Sequence, residues 1–384
     1  MSLADVLGSH RVVVTVGSGG VGKTTTAAAM AVHAAAQGRK VLCLTIDPAR
    51  RLANSLGLDE MTTSEQDVPQ ALFEKYGLEC RGSLSAMMLD TKRTFDGLVE
   101  KYASDDEARD RILNNQIYQY VASSLAGTQE YMAMEKLHEV RKDEGWDLVV
   151  LDTPPTAHAI DFLTAPERLI DAIDSPAMRW FLQVFEGAGK AGFGLVGKGA
   201  TVLLKGIGKI TGLEFLEQVA EFVSGINDLF GGFKERAEQV SNALRSPEVA
   251  FVLVTSPDPL AIGEARYFSD KLEAAGMNRE AVVVNQVHRL LREPTLSPQD
   301  QVATLRDALP ASVDAASVQP RLARSLDDER TWAIADREQV ERLAAQIGND
   351  TRIVEVPAFD EDVHDIAALA RVASYLTESP PSSP

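Results

Sequence analysis

Thiols are almost absent from this chain. It has two cysteines in 384 residues, Cys43 and Cys80, and no C-x-x-C pair to clip a zinc ion or run redox chemistry, so neither a disulfide framework nor a thiolate cluster is expected. Positive charge is scarce too: 38 Lys and Arg stand against 56 Asp and Glu, a net charge of −18. Binding to a phosphate backbone needs clustered cations, so nucleic acid is not expected as a partner. Long apolar runs are also missing. No stretch of about 18 uninterrupted apolar residues occurs that would span a bilayer. Met1 to Ser9 reads as a short polar lead without a charged-then-apolar signal pattern, which gives the expectation of a cytoplasmic protein. What remains, with 45% hydrophobic and 24% charged residues, has the composition of a globular fold.

Short β-branched runs alternate with longer helical patterns, the rhythm of a parallel sheet covered by helices. Strands are expected at "RVVVTVG" from Arg11, "KVLCLTID" from Lys40, "LSAMMLD" from Leu84, "DLVVLDT" from Asp147, "VAFVLVTS" from Val249, "AVVVNQV" from Ala281 and "RIVEVP" from Arg352. Their continuous apolar character implies burial on both faces, and Cys43, inside one of them, reads as core. Helices are expected over Lys23 to Gln37, much of Thr91 to Lys142, Ala261 to Gly276 and Asp365 to Thr377, with surface helices in the polar stretch 292–350. The fold class is therefore α/β, with residues 1–375 as one domain. A helical subdomain is expected as an insertion at about 91–142 and 166–246, and "ESPPSSP" (378–384) as a frayed tail.

Gly17-Ser18-Gly19-Gly20-Val21-Gly22-Lys23-Thr24 satisfies G-x-x-x-x-G-K-[ST] between a strand and an alanine-rich helix. That context is the one in which the motif wraps nucleotide phosphates in backbone N–H groups. The chain must curl with positive φ and let its amides approach the phosphate oxygens, hence the glycines. The helix from Lys23 presents its positive dipole end to the same anion. Lys23 supplies a point charge to the terminal phosphates, the Thr24 hydroxyl is placed to ligate Mg²⁺, and Thr25 is the expected partner of the α-phosphate. Asp152 ends the apolar strand "DLVVLD". Such an aspartate either holds Mg²⁺ or its waters in P-loop enzymes or caps a following helix, and the glycine loop favours the first reading. Asp47, in "LTIDPARRL", is presented at the carboxyl edge of the sheet, where ligands of open α/β folds sit.

Taken together, "GGVGKTT" (Gly19 to Thr25), "DPARRL" (Asp47 to Leu52), "LSAMMLD" (Leu84 to Asp90), "DTPPTAHAIDFL" (Asp152 to Leu163), "VNQ" (Val284 to Gln286) and "VPAF" (Val356 to Phe359) resemble the ArsA-like ATPases. That family includes the arsenical pump ATPase and the eukaryotic ATPase that targets tail-anchored membrane proteins. The resemblance implies a P-loop NTPase fold that binds ATP with Mg²⁺, hydrolyses it and works as a homodimer. Asp47 matches the switch I aspartate that orients the attacking water, and Asp152 the switch II aspartate that holds a magnesium-bound water. Asn285 matches the asparagine that reads adenine. Pro357, with its neighbours through Phe359, lies on the loop that covers the base, and Asp258 aligns with an acidic residue that contacts nucleotide. Alone, Asn285 reads equally as a turn residue and Pro357 as a strand stop. His158 matches a position in switch II.

This sequence departs from the family where Ser18 replaces a lysine that reaches the partner subunit's phosphates. Arg50 or Arg51, just after Asp47, is a candidate to supply that charge in the manner of an arginine finger, with Arg50 the first choice. The stretch from Gly187 to Leu213 contains four lysines and no acidic residue, and amphipathic "LEFLEQVAEFVSGINDLF" follows it. It reads either as a connector or, over 187–232, as an apolar surface for a hydrophobic client segment or a membrane-protein partner. Two further functions stay open beside an ATP-driven switch: an ATP-gated holdase with negligible turnover, and a subunit driving an anion (arsenite) pump.

Overall fold

Val12, Val13, Val14 and Val16 are wholly buried, so the first strand has no solvent face and must lie inside a sheet covered on both sides. The computed structural model describes residues 2–46, 51–124, 128–142, 145–153, 235–310, 312–348 and 351–378, with isolated positions 165, 167, 168, 170, 171, 174–176, 218 and 222. The first half of the chain runs α1 (Leu3–Ser9), β1 (Val12–Val16), α2 (Lys23–Ala36), β2 (Lys40–Thr45), α3 (Arg51–Ser55), β3 (Gln66–Asp67), α4 (Gln70–Lys75) and β4 (Ser83–Met88). Four helices follow, α5 (Thr91–Tyr102), α6 (Asp106–Asn114), α7 (Gln116–Ser124) and α8 (Thr128–Lys142), leading to β5 (Leu148–Asp152). The second half adds β6 (Val249–Thr255), α9 (Pro259–Ala274), β7 (Arg279–Val287), α10 (Pro298–Ala308), α11 (Ala315–Ile347), β8 (Arg352–Pro357) and α12 (Ile366–Thr377).

Among the described residues the strands form one sheet in the order β3-β4-β2-β5-β1-β6-β7-β8. Every pairing is parallel except that of β3 with β4. The α/β reading holds, and the seven expected strands are all present. The two-residue β3 was not foreseen, because so short an antiparallel edge carries no periodicity. On one face Val12, Val14 and Val16 pack with residues of α5, α8 and α9. On the other, Val13 joins α2 and α12. Ala27, Ala28, Ala29, Met30 and Ala31 of α2 are fully buried; alanine's small side chain lets this helix lie close between the sheet and α12.

Met1 to Ser9 corrects the reading of a polar lead: it contains a helix. Ser2 caps α1 by accepting from the Asp5 N–H at 3.0 Å, the Asp5 carboxylate accepts from the Ser2 N–H in return, and Leu3, Val6 and Leu7 are buried. A seven-residue segment was too short for its apolar period to stand out, although the capping box was written in the sequence. The polar stretch 292–350 forms α10 and α11 as expected. No helix among the described residues is long and apolar enough to cross a membrane.

A buried ion pair ties α8 to the helical run 235–244: Arg236 Nε donates to Glu135 Oε1 at 2.6 Å, with side chains only 8% and 3% exposed. One turn further along α8, His138 is buried and neither ring nitrogen has a hydrogen-bond partner among the described residues. Burial, followed by the charges of Arg236, Lys142, Arg141 and Lys101, pushes its pKa down to about 4. The unfolded chain therefore takes up this proton first as the pH falls. Its contribution to stability is complete above the unfolded value of 6.5 and is lost progressively between there and about 4. On acidification from pH 7 to pH 5, His138→Gln should lose about 1–2 kcal/mol less stability than the wild type. Urea denaturation at both pH values checks this, and equal losses in the two proteins would remove His138 as the cause.

Candidate functional site

The turn from β1 into α2 has room for main chain only. Gly17 has φ +154°, and a Cβ there would meet the Val254 carbonyl oxygen at 2.0 Å. Gly22 sits in the left-handed region at φ +91°, where a Cβ would lie 2.2 Å from Asn285 Nδ2. Gly22 is also the N-cap of α2 and makes no side-chain cap, so the first N–H groups of that helix are left for an anion. Lys23 is 5% exposed, and its Nζ donates to the Ser18 carbonyl oxygen at 2.7 Å across the turn. This bond across the turn holds the ammonium at the loop's mouth.

Asp152 reaches the loop through strand register. It lies opposite Thr15 on β1 and Thr45 on β2, and its Oδ2 accepts from Thr24 Oγ1 at 2.8 Å and Thr45 Oγ1 at 3.1 Å. Thr24 and Asp152 form an all-oxygen donor pair beside a phosphate loop, the chemistry a hard divalent cation requires, so the residues fit magnesium. Cys43, nearby on β2, is no part of this: burial and then the Asp152 charge raise its thiol pKa far above the usual range, and it stays a core residue.

A cleft of about 1020 Å³ opens over the loop. Gly20, Gly22, Lys23, Thr24 and Thr25 line it, together with Asp258, Asn285, Pro357 and Phe359. Gly19 is exposed in the same turn, and Val21 is buried with its carbonyl oxygen accepting from Asn285 Nδ2 at 3.0 Å. A register shift between β7 and β8, with Gln286 at φ +62°, accompanies the turn of the chain at Asn285. Asp258 caps α9, accepting from the N–H groups of Leu260 at 2.8 Å and Ala261 at 3.2 Å. Phe359 is held from α12 by Tyr375, at 5.9 Å between ring centroids, and by the Arg371 guanidinium 5.0 Å above its ring. Arg51, at the start of α3, lines the cleft and is exposed. Asp47, Arg50, His158 and the stretch 187–232, apart from positions 218 and 222, lie outside the described residues.

Sequence reasoning missed one wall of the cleft, formed by His288, Asp336 and Gln339. Asp336 Oδ2 accepts from the His288 backbone N–H and from its Nδ1, both at 2.8 Å. His288 follows Asn285 closely, which was a local cue. Asp336 and Gln339 sit far along a 33-residue helix with no motif to mark them.

A model of the family described as "Anion-transporting ATPase" matches residues 10–297. Similar curated proteins include the ATPase get3 of Neurospora crassa and the ATPase GET3 of Chaetomium globosum, each 26% identical over 276 residues that cover 71% of this chain and 71% of the relative. The ATPase get3 of Schizosaccharomyces pombe is 26% identical over 301 residues, 74% of each chain.

The crowding at Gly22 is directly testable. Gly22→Ala should weaken ATP binding in calorimetry by about tenfold or more, since left-handed strain of about 1–2 kcal/mol is joined by displacement of Asn285. Circular dichroism should show the fold retained, and unchanged affinity would mean that the loop has slack its geometry denies.

Proposed function

Because the chain belongs to the anion-transporting ATPase family, we propose that this ATPase is a magnesium-dependent, nucleotide-driven switch that works as a homodimer on a hydrophobic client or membrane-protein partner. The observation that carries the nucleotide half of this reading is the convergence of Lys23, the Thr24–Asp152 pair and Asn285 on one cleft above an uncapped helix N-terminus. In it the amides of Gly19 to Gly22 grip the phosphates, Lys23 turns from the Ser18 carbonyl to the terminal phosphates, and Thr25 meets the α-phosphate. Thr24 and Asp152 hold the metal side, and Asn285, Pro357 and Phe359 enclose the base, with Asp258 at the rim. Magnesium, when bound, neutralises charge that builds on the phosphate oxygens. Asp47 orients the attacking water.

Ser18 brings no cation to this site. Arg51 is supported as a source of the missing charge by its exposed place on the cleft wall, beside Arg50 in sequence. The same lack of a charge at Ser18 favours, as a second reading, an ATP-gated holdase with negligible turnover. An anion pump role would require a metalloid site, for which the two separate cysteines offer no thiolate cluster. The client surface is assigned to 187–232, within a helical subdomain at 91–142 and 166–246, on the strength of the four lysines without an acidic residue over 187–213 and the amphipathic pattern that follows.

Asp47→Asn should bind ATP as tightly as the wild type and hydrolyse it about 100-fold more slowly, the size of effect expected on losing a positioned general base or water-orienting group. Phosphate release and calorimetry measure the two quantities; wild-type turnover in the variant would end the assignment. Capture of an apolar helical peptide should complete its cycle with ATP and stall with a nonhydrolysable analogue. A full cycle with the analogue would favour the holdase.

A further inference from the structure

We propose that α11 supplies the ribose-recognition wall of the nucleotide site, with Asp336 and Gln339 bonding the ribose hydroxyls, so that the enzyme selects ribonucleotides over deoxyribonucleotides. This rests on the nucleotide reading of the cleft and adds to it a subsite and a substrate preference. The phosphate end of the cleft is fixed by Gly20 to Thr25, and the far end lies between the ends of β7 and β8, which pair as neighbours. Asp336 is bonded to His288 at the β7 end, so α11 is pinned against that far end rather than against the phosphate loop.

Asp336 and Gln339 are three residues apart on α11 and therefore share a helix face, and both line the cleft. The two bonds from His288 fall on Asp336 Oδ2 alone, which leaves Oδ1 as a charged acceptor. Gln339 is half-buried on the cleft wall and its amide makes no hydrogen bond among the described residues, which leaves it able to donate and accept toward a ligand there. A carboxylate acceptor beside an amide that both donates and accepts suits a vicinal diol, and a carboxylate on the ribose 2′-hydroxyl is a recurrent solution in nucleotide-binding α/β folds. The charges nearby do not argue for a second phosphate site, since Asp336 would repel one.

The plainer alternative is that His288–Asp336 only anchors α11 to the sheet. Calorimetry with ATP, 2′-deoxy-ATP and inorganic tripolyphosphate separates the two. The wild type should bind ATP about ten- to a hundredfold more tightly than 2′-deoxy-ATP, the range for a hydrogen bond to a charged group. Gln339→Ala and Asp336→Asn should each erode that preference toward unity while leaving tripolyphosphate binding unchanged. Gln339→Ala leaves the His288 anchor intact and so keeps the test readable if Asp336→Asn proves unstable. Equal affinity of the wild type for ATP and 2′-deoxy-ATP, or an equal loss of both in the variants, would overturn the proposal and leave the phosphate loop assignment standing. Failure of the wild type to bind any of the three would overturn both.

Discussion

The constraint on which the rest depends is the lack of room where β1 turns into α2. β1 lies in the middle of the sheet between β5 and β6, so its end is boxed in by its neighbours' main chains. The Val254 carbonyl stands against Gly17 and the Asn285 amide against Gly22. No side chain fits at either place, and both residues adopt backbone conformations that disfavour one. The same crowding that excludes a Cβ is what allows peptide N–H groups to approach an anion closely. It also draws the ends of β6 and β7 against the loop, so that residues far apart in sequence share one cleft.

Electrostatics at this site must be local. The whole chain carries a charge of −18, which disfavours a triphosphate at a distance. At physiological ionic strength, however, charges beyond about 8 Å are largely screened. What counts is the group of donors that line the cleft: Lys23 held on the Ser18 carbonyl, the first turn of α2 and the exposed Arg51. Because these are fixed by strand register and a buried helix, little reorganisation is needed when an anion arrives. Asp152 adds negative charge to the same place, and its bonds to Thr24 and Thr45 keep it oriented.

The parts of this molecule that could be read in the sequence are those in which a local pattern has one physical outcome. Val12 to Val16 could only be a doubly covered strand, and Gly17 to Thr24 before an alanine-rich helix could only be a tight turn with exposed amides. Asp152 was legible because it ended an apolar run beside such a turn. The helix of Leu3 to Ser9 escaped notice since one and a half apolar repeats do not exceed noise. Asp336 and Gln339 escaped for a different reason: nothing within a few residues of them distinguishes their face of α11 from the solvated ones. Their place in the cleft follows from a contact to His288, 48 residues away in sequence, and tertiary pairing of that kind leaves no local trace.

The largest departures from the sheet are placed consistently with respect to the ligand edge. Among the described residues the chain leaves β5 at Asp152 and next enters the sheet at Val249, and it leaves β7 two residues after Asn285 and returns at Arg352. Both excursions therefore begin at the carboxyl ends of strands that contribute directly to the cleft. In a parallel sheet a crossover must start at that edge and return to the opposite one, so material added to it passes the ligand on its way. Loop closure cost rises only slowly with length, which makes such additions tolerable to stability. An excursion rooted beside Asp152 or Asn285 is mechanically joined to whatever those side chains hold.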